Sequence, residues 1–267
     1  YQGELLSGNI QLTATGDIRA TTVSSALGNV DAEGHHLSFD NLFAEQDVNL
    51  LALGAIVVNE SVSGGDQDWF ANEDISFQRL LAGGQVLLDS LLDTRGDQVV
   101  ADAGLTVNAG WRAGVASPAN IQFRQVVAPS MSLWAGSAIE VADAQLGQSA
   151  DLHAQDVQLT AEHTGTGPLQ LLAEGLNNSG AAGDRLLVRL QASAVNTSLL
   201  DMVYTDFETS GAIADFADIR NADYLRLRTP QTLLIGDNLS PAYRPEANVQ
   251  LYELDKAFWL FQSGVST

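Results

Sequence analysis

The stretches "LSFDNLFA" (37–44), "ISFQRLLA" (75–82) and "IQFRQVVA" (121–128) decide the fold. Each reads aliphatic, Ser or Gln, Phe, two free positions, two apolar residues, Ala. Phe39, Phe77 and Phe123 are the anchors, 38 and 46 residues apart. A motif that returns with its flanks in phase marks a repeat architecture, in which one supersecondary unit stacks on the next. A smaller unit lies between the anchors: "GNIQLTAT" (8–15), "GDIRATTV" (16–23), "GNVDAEG" (28–34), "GQVLLDS" (84–90) and "GLTVNAG" (104–110). Each opens on Gly and continues with alternating apolar residues, the period of a half-buried strand. The leading Gly suits a sharp turn with φ > 0. Gly8 to Gly28 and Gly84 to Gly104 are both steps of 20 residues, each holding two units.

Short strands at this step predict an all-β chain folded as a right-handed parallel β-helix. A Greek-key sandwich, with strands every 8–12 residues or so, does not explain the phase of the Phe motif. The expected organisation is β-helix coils over 1–164, a loop-rich break over 165–184, and atypical β-rich coils or a cap over 185–267. Helical candidates are short: Leu169–Leu176 and "GAIADFADIRNA" (211–222). The last stretch reads as a hairpin around Asp255-Lys256.

Composition narrows the function. The 267 residues hold 33 acidic and 12 basic side chains, a formal charge of −21, and Lys256 is the single lysine. Such a surface repels phosphate backbones and anionic bilayers, which argues against nucleic-acid partners. It would hold divalent cations, calcium among them, only loosely. The absence of Cys removes disulfides, thiolate metal sites and a Cys nucleophile. No apolar run is long enough for a transmembrane helix. No signal peptide is visible at Tyr1, and the chain reads as a piece of something longer.

No phosphate-loop, zinc-protease, nucleophile-elbow or dinucleotide motif occurs. Carboxylates are everywhere, so no pair stands out for glycoside hydrolysis, and basic residues are too scattered to suggest a lyase. A non-catalytic chain without cofactors is expected. The adjacent His35 and His36 would face opposite ways in a strand but could share a metal in a loop; exposed turn residues are the expectation.

The coils before Phe77 and Phe123 look extended, by residues 59–74 and 109–120. Insertions at one corner of a solenoid commonly build its binding face. Each carries an indole flanked by charge: Trp69 beside Asp66, Asp68 and Phe70, and Trp111 beside Arg112. These six residues are the candidate ligand site, suited to stacking on sugar rings or docking a protein. The opposing reading folds the loops back, with the indoles covering the coil. Trp134 and Trp259, in strand-like contexts, are expected in core or cap packing.

"GNIQLTATGDIRATT" (8–22), "GNVDAEG" (28–34) and "GDQVVADAGLTVNAG" (96–110) resemble the coils of filamentous-haemagglutinin-like exoproteins of two-partner secretion. The resemblance covers roughly 1–160 well and 185–267 loosely. It implies a long right-handed β-helix exported through an outer-membrane β-barrel transporter and displayed at the Gram-negative cell surface or released. It further implies adhesion, aggregation or biofilm building, with a glycan or a cell-surface receptor as partner. The family's amino-terminal secretion module is not present, so an interior or late segment is implied. The rival readings are a polysaccharide hydrolase or lyase on a β-helix and a sandwich-type carbohydrate-binding module.

Arg95-Gly96-Asp97 spells a cell-attachment tripeptide. Aligned on the Phe motif, Gly96 falls with Gly54 and Gly136, so a turn at a coil corner is the expected reading. Arg95 and Asp97 are then free surface choices, and attachment stays open.

Overall fold

In the computed structural model, which describes residues 8–112, 115–176, 184–202, 204–216, 219–220, 224–228 and 248–249, all regular elements are β-strands. Pairing in the main sheet is parallel throughout. Strands are bonded to their equivalents on the adjoining turns, and where one long strand spans most of a turn, as in Asn120–Ala135 and Ala138–His153, that equivalent is also the next strand in sequence. About ten such turns stack into a parallel β-helix. Parallel pairing on this scale rules out the antiparallel sandwich.

One turn shows how the sequence builds the coil. Leu37–Ala44 has Leu37, Phe39, Leu42 and Ala44 inward, and Val48–Ala52 has Val48, Leu50 and Ala52 inward. Asp40 and Asn41 both point outward, and the inter-turn register skips Asp40. Two successive outward residues break the alternation, and the chain turns a corner there. Three short segments per turn result, on three faces: 37–39, 41–44 and 48–52 in this one. A fully buried Val, Leu, Ile or Phe contributes about 1.5–3 kcal/mol, and the turns place residues of this kind in one continuous core.

The step is 19 residues over the first half of the stack: Ile18, Leu37, Ile56, Ile75 and Thr94 occupy one position on successive turns. The Phe anchors are therefore two turns apart, with other residues between. That column reads Ala20, Phe39, Val58, Phe77, Gly96, Phe123, Val141. Large and small side chains alternate so that rings fill the space left by the turns above and below. Phe77 and Phe123 come within 6.0 Å between ring centroids across Gly96.

Residues 59–74 are not an insertion. They belong to a regular turn, with Gln67–Ala71 in register between Val48–Ala52 and Gln85–Ser90. The chain does leave the stack near 109–120: Thr94 pairs with Ile121, 27 residues on, and Trp111–Arg112 pairs antiparallel with Val115–Ala116. Leu169–Glu174 is a strand with Leu169, Leu171 and Ala173 buried, and Ala212–Phe216 is also a strand. Neither is helical, because alternation over a stacking neighbour outweighs weak helix propensity. Arg185–Gln191, Tyr204–Thr209 and Tyr224–Arg228 carry the stack onward. Trp259 and the Asp255-Lys256 stretch lie outside the described residues.

The Gly-Asn and Gly-Asp dipeptides have a different cause from the turn first read into them. Among the described residues only Gly104 and Gly110 have positive φ. Elsewhere the requirement is close approach. Oδ1 of Asn9, Asn29, Asp47 and Asp66 accepts the backbone N–H of Asn29, Asp47, Asp66 and Gln85, one turn on, at 3.1, 3.1, 2.8 and 2.7 Å. A Cβ at Gly28, Gly65 or Gly84 would collide with that Oδ1. Glycine leaves room for the previous turn's side chain, and that side chain caps the corner amide.

Candidate functional site on the third face

The third face is a flat sheet of strands such as Val30–Gly34, Val48–Ala52, Gln67–Ala71 and Gln85–Ser90. Alternation sends every second side chain outward, and parallel in-register stacking lines these up in columns. One column runs Gln11, Asp31, Asn49, Asp68, Leu87. The next runs Glu33, Leu51, Phe70, Asp89, Asn108 and on through Trp134, His153 and Glu174.

Over the first four turns the columns enclose a shallow groove of about 310 Å³. Asp31, Glu33 and Asp68 supply carboxylates, Leu51 and Phe70 an apolar surface, and no basic side chain among the described residues lines it. Leu51 and Leu87 on this face are 41% and 37% exposed. Asn49 Nδ2 donates to Asp31 Oδ1 at 2.7 Å, which fixes one wall. Partial burial pushes the Asp68 carboxyl above its ordinary value of 3.8, and the neighbouring Asp66 charge adds to the rise.

Farther along the same face the rings form a ladder. Trp134 stacks on His153 at 3.5 Å and 15°, and Trp111 leans on Trp134 at 5.5 Å. His153 is buried, with Nε2 2.7 Å from Asp151 and Nδ1 3.2 Å from Glu174. The ladder pins the inserted hairpin to the sheet. Trp134 is therefore an outward residue half-buried by its neighbours, not a core one.

The six candidate residues do not form one site. Trp69 is 0% exposed, packed edge-to-face on Phe77 at 5.8 Å inside the coil. It sits between Leu50 and Leu88 of the adjoining turns, so it is a core residue and no ligand can reach it. Asp66 is the fourth member of the corner ladder, its Oδ1 committed to the Gln85 amide. Asp68 and Phe70 do share the groove. Trp111 and Arg112 lie on the hairpin, several turns away, with the Trp111 ring already covered on one side by Trp134. Reading Gln67–Ala71 as a strand of period 2 separates these roles: inward Gln67, Trp69 and Ala71, outward Asp68 and Phe70.

Arg95 and Gly96 lie within the strand Thr94–Ala101, paired on both sides, with Gly96 opposite Phe77 and Phe123, and Asp97, which the register skips, stands at the coil corner that Asp40 occupies in its own turn. Gly54 and Gly136 instead sit at the preceding corner. Gly96 is demanded by the Phe77 ring, which a Cβ would strike. Arg95 pairs with Asp93 on its own turn. The tripeptide thus ends at a corner, but its strand continues in register on either side of Asp97, so it is not presented as a protruding loop.

Asp17, His35 and His36 converge at one exposed corner, with donor atoms within 4.8 Å. His36 Nδ1 accepts the Ala55 N–H at 2.9 Å, which places the proton of a neutral ring on Nε2 and leaves no lone pair for a cation. The His36 ring serves the stack as the asparagines and aspartates of the other corner do.

No protein-family model, no curated protein and no solved structure matches this chain.

Proposed function

We propose that the chain is a non-catalytic segment of a secreted bacterial surface adhesin, a stiff β-helical rod whose third face binds glycan. The observation that carries this reading is the pair of outward columns holding Phe70 and Leu51 among Asp31, Glu33 and Asp68. Aromatic and aliphatic carbon takes the C–H face of a pyranose, and carboxylates at its rim take hydroxyl or ammonium hydrogens. A face that repeats along the rod suits a polymer, because a long ligand engages successive turns and gains by multivalency. The coil style shared with filamentous-haemagglutinin-like exoproteins supports export through an outer-membrane two-partner transporter and display outside a Gram-negative cell. A glycan array probed with wild type and Phe70→Ala tests the face. Selective binding lost in the variant is expected; equal binding by both, or cleavage of a bound polysaccharide, would overturn the reading.

A further inference from the structure

Resting on that reading, we infer that the ligand class of the groove is a cationic amino sugar polymer, a glycan carrying free amines. Among the described residues the groove presents three carboxylates, Asp31, Glu33 and Asp68, and no basic side chain. A neutral sugar would leave these charges uncompensated on desolvation, and a uronate would be repelled; a protonated amine removes the like-charge repulsion. The chain's overall charge of −21 adds long-range attraction for the same class. The raised carboxyl of Asp68 agrees, since a group crowded by burial and by Asp66 gains most from a cation alongside.

Shape favours a sugar over a basic peptide. Three of the four strands under the groove, Val30–Gly34, Val48–Ala52 and Gln67–Ala71, are hydrogen-bonded on both sides, to the turn above and the turn below, while Ile10–Thr13 is paired on one side among the described residues. Where Asp68, Phe70 and Leu51 lie, no backbone edge is offered on which an extended peptide would add as a strand. What the face offers is side chains alone: the Phe70 ring and Leu51 in one column, carboxylates in both. A pyranose, with one apolar face and a polar rim, matches that arrangement without any backbone contact.

The test is titration calorimetry at mildly acidic pH with EDTA present, where amines are protonated and carboxylates ionised. The ligands are a glucosamine hexamer, an N-acetylglucosamine hexamer, a galacturonate hexamer and a lysine-rich peptide of matching charge. Wild type should bind the glucosamine hexamer, and the Asp31→Asn/Asp68→Asn double variant should bind it about tenfold more weakly or worse. Phe70→Ala should also weaken it, and Asp102→Asn, an exposed carboxylate outside the groove, should not. Binding of the N-acetyl or galacturonate hexamer that survives Asp31→Asn/Asp68→Asn but not Phe70→Ala would overturn the amine and leave the glycan face standing. Peptide binding as tight as the sugar's, indifferent to Phe70→Ala, would assign the groove to basic peptides and overturn the inference. No binding of the glucosamine hexamer would overturn it too, while the array separately decides the face.

Discussion

Gly96→Ala should destabilise the coil, although the same change in an open strand would stabilise it. Gly to Ala at a compatible position gains about 0.4–1 kcal/mol by reducing the freedom of the unfolded chain. Here the new methyl points inward at the Phe77 ring. That ring has no room to retreat, held edge-to-face by Trp69 at 5.8 Å and faced by Phe123 at 6.0 Å. Overpacking of this kind costs about 1–3 kcal/mol, so a net loss of about 1–2 kcal/mol is expected. Urea unfolding followed by indole fluorescence reads it, because buried Trp69 reports on the affected turns. The two positions should also be coupled: Phe77→Leu removes the ring atoms the methyl would meet, so Gly96→Ala should cost about 1 kcal/mol less in that background. A Gly96→Ala midpoint at or above wild type, or an equal loss in both backgrounds, would refute the packing account and restore Gly96 as a turn residue.

The corner ladder predicts that Asp47→Ala and Asp66→Ala each cost about 1 kcal/mol, while Asn at either position keeps an Oδ1 and most of the stability; matching losses for Asn and Ala in urea midpoints would show that charge, not the cap, matters. Asp68 has its folded-state carboxyl raised above the ordinary 3.8, so the folded chain holds this proton to higher pH than the unfolded chain. The resulting stability is present at low pH and is lost as pH rises through the folded value. Asp68→Asn should therefore raise the urea midpoint at neutral pH and leave it unchanged well below 3.8; a lowered neutral midpoint would contradict the sign. Trp111→Ala removes a ring pair worth about 0.5–1.5 kcal/mol, and limited proteolysis should then cut faster within 110–119 while the coils on either side stay intact.

The periodic skeleton was legible because stacking forces inward positions to recur. The Phe motif therefore located real turns and put both faces of Leu37–Ala44 in phase. The intervening turns carry no Phe signature, because their column holds Val58 or Gly96 to accommodate the rings on either side. Missing the turn at Ile56–Ala71 made 59–74 look inserted, and that in turn put Trp69 outside the coil. Glycine misled for a related reason: its commonest cause is backbone conformation, whereas at Gly28, Gly65 and Gly84 the cause is a side chain one turn away. The groove itself was half legible. Asp68 and Phe70 were marked by composition, but Leu51 joins them only through register one turn away, and Asp31 and Glu33 two turns away.

The lateral face is tested most directly by methyl NMR of the leucines and valines during titration with the glucosamine hexamer. Leu51 and Leu87 project from the third face at 41% and 37% exposure, and Val57 projects from another face at 46%. The account predicts saturable shifts at Leu51 and Leu87 with Val57 unmoved. Shifts centred on Val57, or none at Leu51 and Leu87 while the sugar binds, would contradict it.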